Sequence, residues 1–435
     1  MSRMEIGYWA GFAQRPFRAP ERVREFQDAR IRRLIHHAWH NVAFYRRRFE
    51  EAGIRPEEIR GGADLQRLPI LTKADLRTCR EGELLARGVD ERSCIAEISS
   101  GTTGEPVRFV RTRGEEYALF AHRLRAHVLS GLRPWDIRMK IGSQPVRTLP
   151  HRLGLFRCDA VSDGQAHTRI LAELEKRRFD VLCAMPGILD ILLPLLRESK
   201  LRSRRLRRVF CGAELLSPAT RRRLRETLGC PVVDFYGATE VNLVAWECVR
   251  CGLYHTCDDA VFAEVITEDG RQAGAGEEGR LVLTALHSFA MPLIRYEIGD
   301  VVRRPAKAAA CRIGFGTIDE IVGRVADHLL LPDGQWLGPC RLIEVAQSID
   351  GVRRFRILQT TPVSVVVEVQ REKEFSEEQA RRLRAGFEKL LPAEVRVEIR
   401  EVDDIPLTAG GKLRIVEAWS GASGSLLRLL DQSGG

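Results

Sequence analysis

The chain has 435 residues, 44% of them hydrophobic and 29% charged, with a formal net charge of +10. That length exceeds one ordinary core, so two or more domains are expected, and the composition is typical of soluble globular proteins. No apolar run approaches the ~20 residues that span a bilayer, and Met1 to Arg15 lack an apolar signal core, so a cytoplasmic enzyme without a membrane partner is the expectation.

In chain order, residues 21 to 53 show apolar spacing of helical period (Val23, Phe26, Ile31, Leu34, Ile35, Ala38), and Glu115 to Leu129 read as a second helix. The centre alternates short strands and helices. Val181 to Met185, Arg208 to Cys211 and Val232 to Tyr236 read as strands, and Ile188 to Arg197 as a helix. Pro218 to Leu228 reads as a helix with Ser217 as N-cap and Pro218 in the first turn. This alternation predicts an α/β fold with a mainly parallel, helix-covered sheet. From Val261 the pattern becomes antiparallel, with strands at Val261 to Ile266, Arg280 to Leu286 and Val301 to Arg303. After Gly323 come two strands (Phe355 to Gln359, Val365 to Val369), a helix (Ser376 to Leu391) and a strand (Val395 to Val402). These form a small α+β domain, with a boundary near Asp327: residues 1–326, then 327–435. The Ser/Gly-rich end, Gly421 to Gly435, is expected to fray.

The net positive charge sits partly in runs, Arg202 to Arg208 and Arg221 to Arg225, beside predicted helices and without interleaved aromatics. They read as solvated helix faces rather than a nucleic-acid surface. Eleven cysteines without a secretory signal argue against a disulfide framework. Cys94, Cys158, Cys183, Cys211, Cys230 and Cys340 sit in apolar surroundings and read as small buried hydrophobes.

Ser99-Ser100-Gly101-Thr102-Thr103-Gly104-Glu105-Pro106 is the first chemical signal. Its glycines permit tight turns, so that N–H groups converge on an anion, and its four hydroxyls add donors. Such a loop suits the β- and γ-phosphates of ATP, although the spacing is not the Walker pattern. An ordinary Ser/Thr/Gly turn is the competing reading.

Further motifs follow in fixed order. They are Gly212-Ala213-Glu214, Phe235-Tyr236-Gly237-Ala238-Thr239-Glu240, Pro292-Leu293-Ile294-Arg295-Tyr296-Glu297-Ile298-Gly299-Asp300, Gly323-Arg324-Val325-Ala326-Asp327, and Pro406 to Arg414 around Lys412. With the Ser/Thr/Gly loop, the series resembles the adenylate-forming superfamily. Within it the chain is similar to the phenylacetate–CoA ligase family. That narrower match rests on His36, Ala38, Asn41, Phe44 and Tyr45, on Leu68 to Lys73, and on Glu247-Cys248 followed by Leu253 and His255. The resemblance covers residues 25 to 416.

What it implies is a large N-terminal domain plus a small mobile C-terminal lid. Glu240 is the expected Mg²⁺ ligand, since Mg²⁺ takes hard oxygens from one or two carboxylates and substrate phosphates. Thr239 would offer its hydroxyl to the α-phosphate. Asp234, Phe235, Tyr236 and Gly237 belong to the same nucleotide-binding segment, Tyr236 near the adenine. Gly212, Ala213 and Glu214 are expected along the adenine, against a competing view of Glu214 as a satisfied buried acid. Asp300 would accept both ribose hydroxyls, Arg324 would reach ribose or phosphate, and Asp327 would be the hinge. Lys412, on a loop that Gly410 and Gly411 make mobile, is the expected catalytic lysine, bridging the substrate carboxylate and the α-phosphate. Many superfamily loops carry a lysine beside the final proline. Here Glu105 precedes Pro106 and Val107 follows, leaving Mg²⁺, Arg108 or Arg111 to compensate.

Cys248, Cys251, His255, Cys257 and Cys311 are five candidates for the four positions of a tetrahedral structural Zn²⁺. Clustered buried thiols and a redox disulfide are the alternatives. His255 is ordinary for the wider family, which leaves it a non-metal role as well. The activity implied is ATP-dependent activation of a carboxylic acid, aromatic by the resemblance, followed by transfer to coenzyme A. An amine or a carrier-protein thiol is the alternative acceptor, and a homodimer is the oligomer considered. A basic nucleic-acid-binding protein with a relict nucleotide site is the rival from another class.

Overall fold

The computed structural model describes residues 11–80, 82–98, 107–144, 149–203, 206–324, 327–372, 374–405 and 415–419. The chain divides into two compact units of two stretches each: Met1–Gly131 with Phe235–Glu320, and Leu132–Asp234 with Ile321–Gly435. The Ser99–Pro106 loop, the Lys412 segment and the Gly421–Gly435 tail lie outside the described residues.

The first stretch of unit 1 begins with helix α1 (Pro20–Asn41), which has proline in its first turn. Val23, Ile31, Leu34, Ile35 and Ala38 recur at helical spacing, and all are buried. The helical stretch expected over 21 to 53 breaks at Val42, whose φ of −122° and ψ of 111° end α1 and start α2 (Ala43–Glu51). Strands β1 (Ile95–Ile98) and β2 (Arg108–Arg111) pair antiparallel and flank the hydroxyl-rich loop. Helix α3 (Arg113–Leu129) follows, opened by a capping box in which Thr112 and Glu115 satisfy each other's backbone N–H.

The first stretch of unit 2 carries β3 (Arg138–Ile141), β4 (Cys158–Val161), α4 (His167–Lys176), β5 (Val181–Ala184), α5 (Pro186–Glu198), β6 (Arg208–Gly212) and α6 (Pro218–Leu228). The strands run parallel in the order β6-β5-β3-β4. The strand–helix alternation predicts this, because parallel neighbours need a crossover and the crossover helix covers the face. The core is Met139, Ile141, Ile170, Leu174, Leu182, Leu189, Leu192, Leu193, Val209 and Leu224, all buried. Ser217 caps α6 through the Thr220 N–H, and left-handed Gly229 ends it, both as the residue types require.

Strand β7 (Val232–Ala238) carries the chain from unit 2 back into unit 1. Strands β8 (Asn242–Glu247), β9 (Tyr254–Thr256), β10 (Val261–Ile266), β11 (Glu278–Ala285), β12 (Tyr296–Arg303) and β13 (Thr317–Ile318) follow. Pairing is antiparallel along β13-β9-β8-β7 and along β10-β11-β12. The antiparallel region thus begins at β8, earlier than the expected Val261. The reason is that the β7–β8 and β8–β9 links are turns too short for a crossover.

Strand β14 (Glu320–Arg324) leads into the last stretch of unit 2. There β15 (Leu329–Leu330), β16 (Trp336–Leu337), α7 (Pro339–Gln347), β17 (Val352–Thr361), β18 (Ser364–Arg371), α8 (Glu377–Leu390), β19 (Arg396–Glu401) and β20 (Val416–Glu417) form an α+β layer. Its sheet order is β19-β18-β17-β20, and its core includes Ile357, Val367, Leu383 and Phe387. Among the described residues no helix is long and apolar enough to cross a membrane. Cys158, Cys211 and Cys230 are buried as expected, whereas Cys94 and Cys183 are only partly covered. The Cys94 thiol instead donates to the Asp90 carbonyl at the foot of β1.

Unit 1 buries a charge network. Both nitrogens of the Arg125 fork donate to Asp259, at 2.7 and 2.6 Å, and Arg15 adds a third bond at 2.9 Å. Burial alone would raise the Asp259 carboxyl, but these arginine partners hold it below the usual carboxylate range. Burial pushes His122 down to about 3, with Asp259 opposing and Arg125, His287 and Arg15 adding to the effect. It pushes His287 down to about 4, and the Ala260 carbonyl, Arg30, Arg111 and Asp259 also act on it. The unfolded chain, with ordinary histidines near 6.5, therefore binds more protons than the folded one as pH falls. Both contributions to stability are whole above the unfolded value and are lost toward the folded ones. The urea midpoint should fall from about pH 7 to about pH 4, and the slope should be shallower in His122→Gln. Parallel profiles for parent and variant would contradict neutral burial of this histidine.

Candidate functional site

Strand β7 ends where the chain makes a tight turn, the Val241 N–H bonding the Ala238 carbonyl at 3.2 Å. Asn242 has a left-handed φ of 64°, which an asparagine tolerates. Gly237 is required beside it, because a Cβ there would lie 2.1 Å from the Asn242 carbonyl oxygen. This turn presents Thr239, which is exposed, and Glu240, which is half-buried.

Two tyrosines tie the neighbouring carboxylates down. The Tyr296 hydroxyl, on β12, donates to Glu240 Oε1 at 3.3 Å, and the Tyr236 hydroxyl, on β7, donates to Asp300 Oδ2 at 2.5 Å. Asp300 is also on β12, four residues beyond Tyr296, past an irregularity in the β11–β12 register where Gly299 takes a left-handed φ of 85°. Burial first, then the Glu240 charge, pushes the Tyr296 hydroxyl up, which keeps it a proton donor. Phe235 is buried, pairs with Trp246 across the β7–β8 ladder and takes the His127 ring edge-on at 4.6 Å. The arrangement holds two partly covered carboxylates and a threonine hydroxyl, hard oxygens of the kind that accept a divalent cation or sugar hydroxyls.

Arg111, at the end of β2, is 2% exposed. Its guanidinium donates to Glu97 at 2.8 Å, to Glu116 at 3.2 Å and to the carbonyl oxygen of Thr239. Arg108 pairs with Glu91. Both arginines considered as stand-ins for the missing loop lysine are thus engaged with protein acceptors. Tyr296 lay inside a recognised motif without a role. Its position opposite Glu240 depends on how β12 meets the β7–β8 turn, and no local pattern shows that.

In unit 2, β6 ends at Gly212 and Ala213 takes a left-handed φ of 69°. Glu214 Oε2 accepts the Gly187 N–H at 2.9 Å, at the start of α5, where the helix dipole favours a carboxylate. One oxygen of Glu214 is thereby used structurally, as in the competing reading of that acid. Asp234 is buried in the last residue of this stretch. Arg324 is exposed at the end of β14, and its carbonyl bonds the His328 ring at 2.6 Å. Ser99, Ser100, Gly101, Thr102, Thr103, Gly104 and Lys412 lie outside the described residues.

The cysteine-rich stretch sorts into two groups. Ligand atoms of Cys248, Cys251, His255 and Cys311 all lie within 4.8 Å of one another. His255 Nε2 is 3.1 Å from the Cys311 sulfur and 3.8 Å from that of Cys251. Its Nδ1 faces the Phe315 carbonyl at 3.3 Å, the outer contact that orients a metal-binding imidazole. Burial pushes the His255 imidazole down and the Cys251 thiol up to about 12. This donor set fits a tetrahedral Zn²⁺.

Of the five candidates for four positions, Cys257 is the one that stands apart. Its side chain is fully buried beside Arg125 and Asp259, both 3.7 Å away, rather than with the other thiols. Alternation would put His255 and Cys257, two residues apart, on one face, but β9 ends at Thr256 and the chain turns. Cys257, His122 and Asp259 also cluster within 4.8 Å. Two arginines on the same Asp259 carboxylate make that pocket hostile to a cation.

Two family descriptions match the chain: "AMP-binding enzyme" over residues 151–287 and "CapK C-terminal domain" over residues 329–418. The phenylacetate–coenzyme A ligase of Thermus thermophilus is 30% identical over 325 residues, covering 72% of each chain. That of Pseudomonas putida is 27% identical over 417 residues, covering 90% of this chain and 91% of the relative. Among solved structures, a 2-hydroxyisobutyryl-CoA ligase in its postadenylation state is 20% identical. It covers 96% of this chain and 94% of its own, with a TM-score of 0.78. An anthranilate–CoA ligase bound to anthranoyl-AMP is 17% identical, covering 76% of this chain and 67% of its own, with a TM-score of 0.58. At these identities the structural likenesses speak to the fold.

Proposed function

Because the chain belongs to the adenylate-forming enzymes of the phenylacetate–coenzyme A ligase-like family, and is an AMP-forming carboxylate–CoA ligase, we propose the following division of labour within it. In the first step a carboxylate oxygen bonds to the α-phosphorus of ATP as the bond to the pyrophosphate oxygen breaks. In the second, the coenzyme A thiolate attacks the acyl carbon of the adenylate and AMP leaves.

Glu240 holds Mg²⁺ and Thr239 hydrogen-bonds the α-phosphate. Asp300 receives the ribose hydroxyls, and Tyr236, with Phe235 and Gly237, forms the nucleotide wall. Gly212, Ala213, Glu214 and Asp234 line the adenine side, Arg324 reaches ribose or phosphate, and the loop from Ser99 to Gly104 cradles the outer phosphates. Magnesium, when bound, would neutralise triphosphate charge, and the protein's task is to hold the reacting atoms in line. The observation that supports this reading most is the pair of tyrosine–carboxylate bonds, Tyr236 to Asp300 and Tyr296 to Glu240. They tie down both carboxylates, one in the β7–β8 turn and one within β12, inside one unit.

Residues 1–326 act as the adenylation domain and 327–435 as the lid that delivers Lys412, with Asp327 the hinge. The "CapK C-terminal domain" match over residues 329–418 supports this boundary. The acid is read as aromatic from the names of the curated relatives. The enzyme is placed in the cytoplasm, where ATP and coenzyme A are at hand. A carrier-protein thiol or an amine is the rival acceptor, and product analysis with coenzyme A alone and beside each rival separates them. Homodimerisation belongs to the same reading, tested by the mass in solution.

Cys248, Cys251, His255 and Cys311 hold a structural Zn²⁺. It staples the β8–β9 turn to the loop between β12 and β13.

Lys412→Ala should slow pyrophosphate exchange into ATP by about 100-fold or more while ATP still binds. Exchange at the parent rate would remove the lysine from the mechanism. Elemental analysis of protein purified without chelator should find about one zinc per chain. Cys311→Ser should lower that content and Cys257→Ser should leave it intact. A zinc-free parent protein, or loss in Cys257→Ser alone, would refute the ligand set.

A further inference from the structure

We propose that Arg111 is a positioning residue for adenylation: it locks the hairpin that flanks the phosphate loop to the turn that presents Thr239 and Glu240. The inference rests on the roles proposed above for those two residues and extends them to a third, which no catalytic motif contains.

Three observations carry it. First, Arg111 is the last residue of β2, and its register partner across the hairpin is Ile95 at the start of β1, so it sits at the hairpin's base. Second, its guanidinium donates to Glu97 on β1, two residues before Ser99, and to Glu116 on α3. The hairpin and the helix that follows it thus share one charged anchor. Third, the other arm of the fork donates to the backbone carbonyl of Thr239. That carbonyl belongs to the peptide joining Thr239 to Glu240, so holding it sets where both side chains project.

Arg111 is buried and its side chain is 3% exposed, whereas Glu97 is 45% exposed. A surface ion pair of this kind would be worth little. A buried fork shared among two carboxylates and a carbonyl is a fixed joint, because an unpaired guanidinium there would be costly. Lysine cannot replace it: a single ammonium on a flexible stem does not span three acceptors in one plane. Displacement of a positioning element by about 1 Å is enough to cost on the order of 100-fold in rate.

The joint acts on one half-reaction. In-line attack at the α-phosphorus needs the phosphate loop and the Thr239–Glu240 turn in register, whereas thiol attack on a finished adenylate does not need the outer phosphates held. The test therefore compares the two steps in the full-length enzyme. Pyrophosphate exchange reports adenylation, and thioester formation from supplied acyl-adenylate and coenzyme A reports the second step. Arg111→Gln and Arg111→Lys should lower kcat for exchange by about 100-fold, with the second step near the parent rate. Glu97→Gln, at the exposed end of the joint, should give a smaller loss confined to the same step.

Exchange at the parent rate in both arginine variants overturns the inference. So does an equal fall in both steps accompanied by a drop in Tm, since that marks a merely structural arginine. If Glu97→Gln leaves exchange untouched, the bridge through β1 is refuted. A parent enzyme that exchanges no pyrophosphate under any acid tried refutes the adenylation reading itself, and this proposal with it. An active parent beside fully active variants refutes this proposal alone.

Discussion

The structure of the candidate site depends on how one short turn is held. Thr239 and Glu240 sit where β7 reverses into β8, and a turn of that size has few internal bonds to fix it. What fixes it comes from outside: Tyr296 on the Glu240 carboxylate, Arg111 on the Thr239 carbonyl, and the close approach that only Gly237 permits. A cation-binding carboxylate needs this support. A free glutamate would lose rotamer entropy on binding, whereas one already anchored by a hydrogen bond is partly ordered beforehand. A tyrosine suits the task because burial keeps its hydroxyl protonated, so it donates without adding charge.

Electrostatics also explains how neighbouring cysteines come to have different surroundings. Cys248, Cys251 and Cys311 converge with a histidine whose far nitrogen faces a carbonyl. Cys257 lies two residues beyond His255 and falls into a pocket where Arg15 and Arg125 both bind Asp259. The first environment favours thiolates around a cation. In the second, burial and the nearby Asp259 charge push the thiol up, which leaves it a small buried group packed into a charge network.

Much of this was legible along the chain. The helical stripe of Val23, Ile31, Leu34 and Ala38, the capped α6 with Ser217, Pro218 and Gly229, and the strand–helix alternation before β7 are local signals, and local bonding satisfies them. The carboxylates were legible as types within motifs. Their partners were not, because Tyr296 meets Glu240 and Tyr236 meets Asp300 only through the placement of β12 beside β7, a tertiary fact. The same holds for Arg111, read from sequence as a spare cation near the phosphate loop but seated on protein acceptors. The break at Val42 was missed because both sides of it carry helical periodicity, and the early start of antiparallel pairing because β8 is buried along its middle without alternation and β9 is only three residues long.

The central claim is that Glu240, held by Tyr296, is the protein's own ligand to the magnesium that accompanies ATP. Its most direct measurement is the Mg²⁺ dependence of pyrophosphate exchange in the parent enzyme and in Glu240→Gln, with ATP saturating. Glutamine keeps the shape and an acceptor oxygen but removes the charge that hard cations prefer. The half-saturating free Mg²⁺ should rise by about 10-fold or more in the variant, equal to about 1.4 kcal/mol of lost cation binding. Superimposable Mg²⁺ curves for parent and variant would contradict the claim.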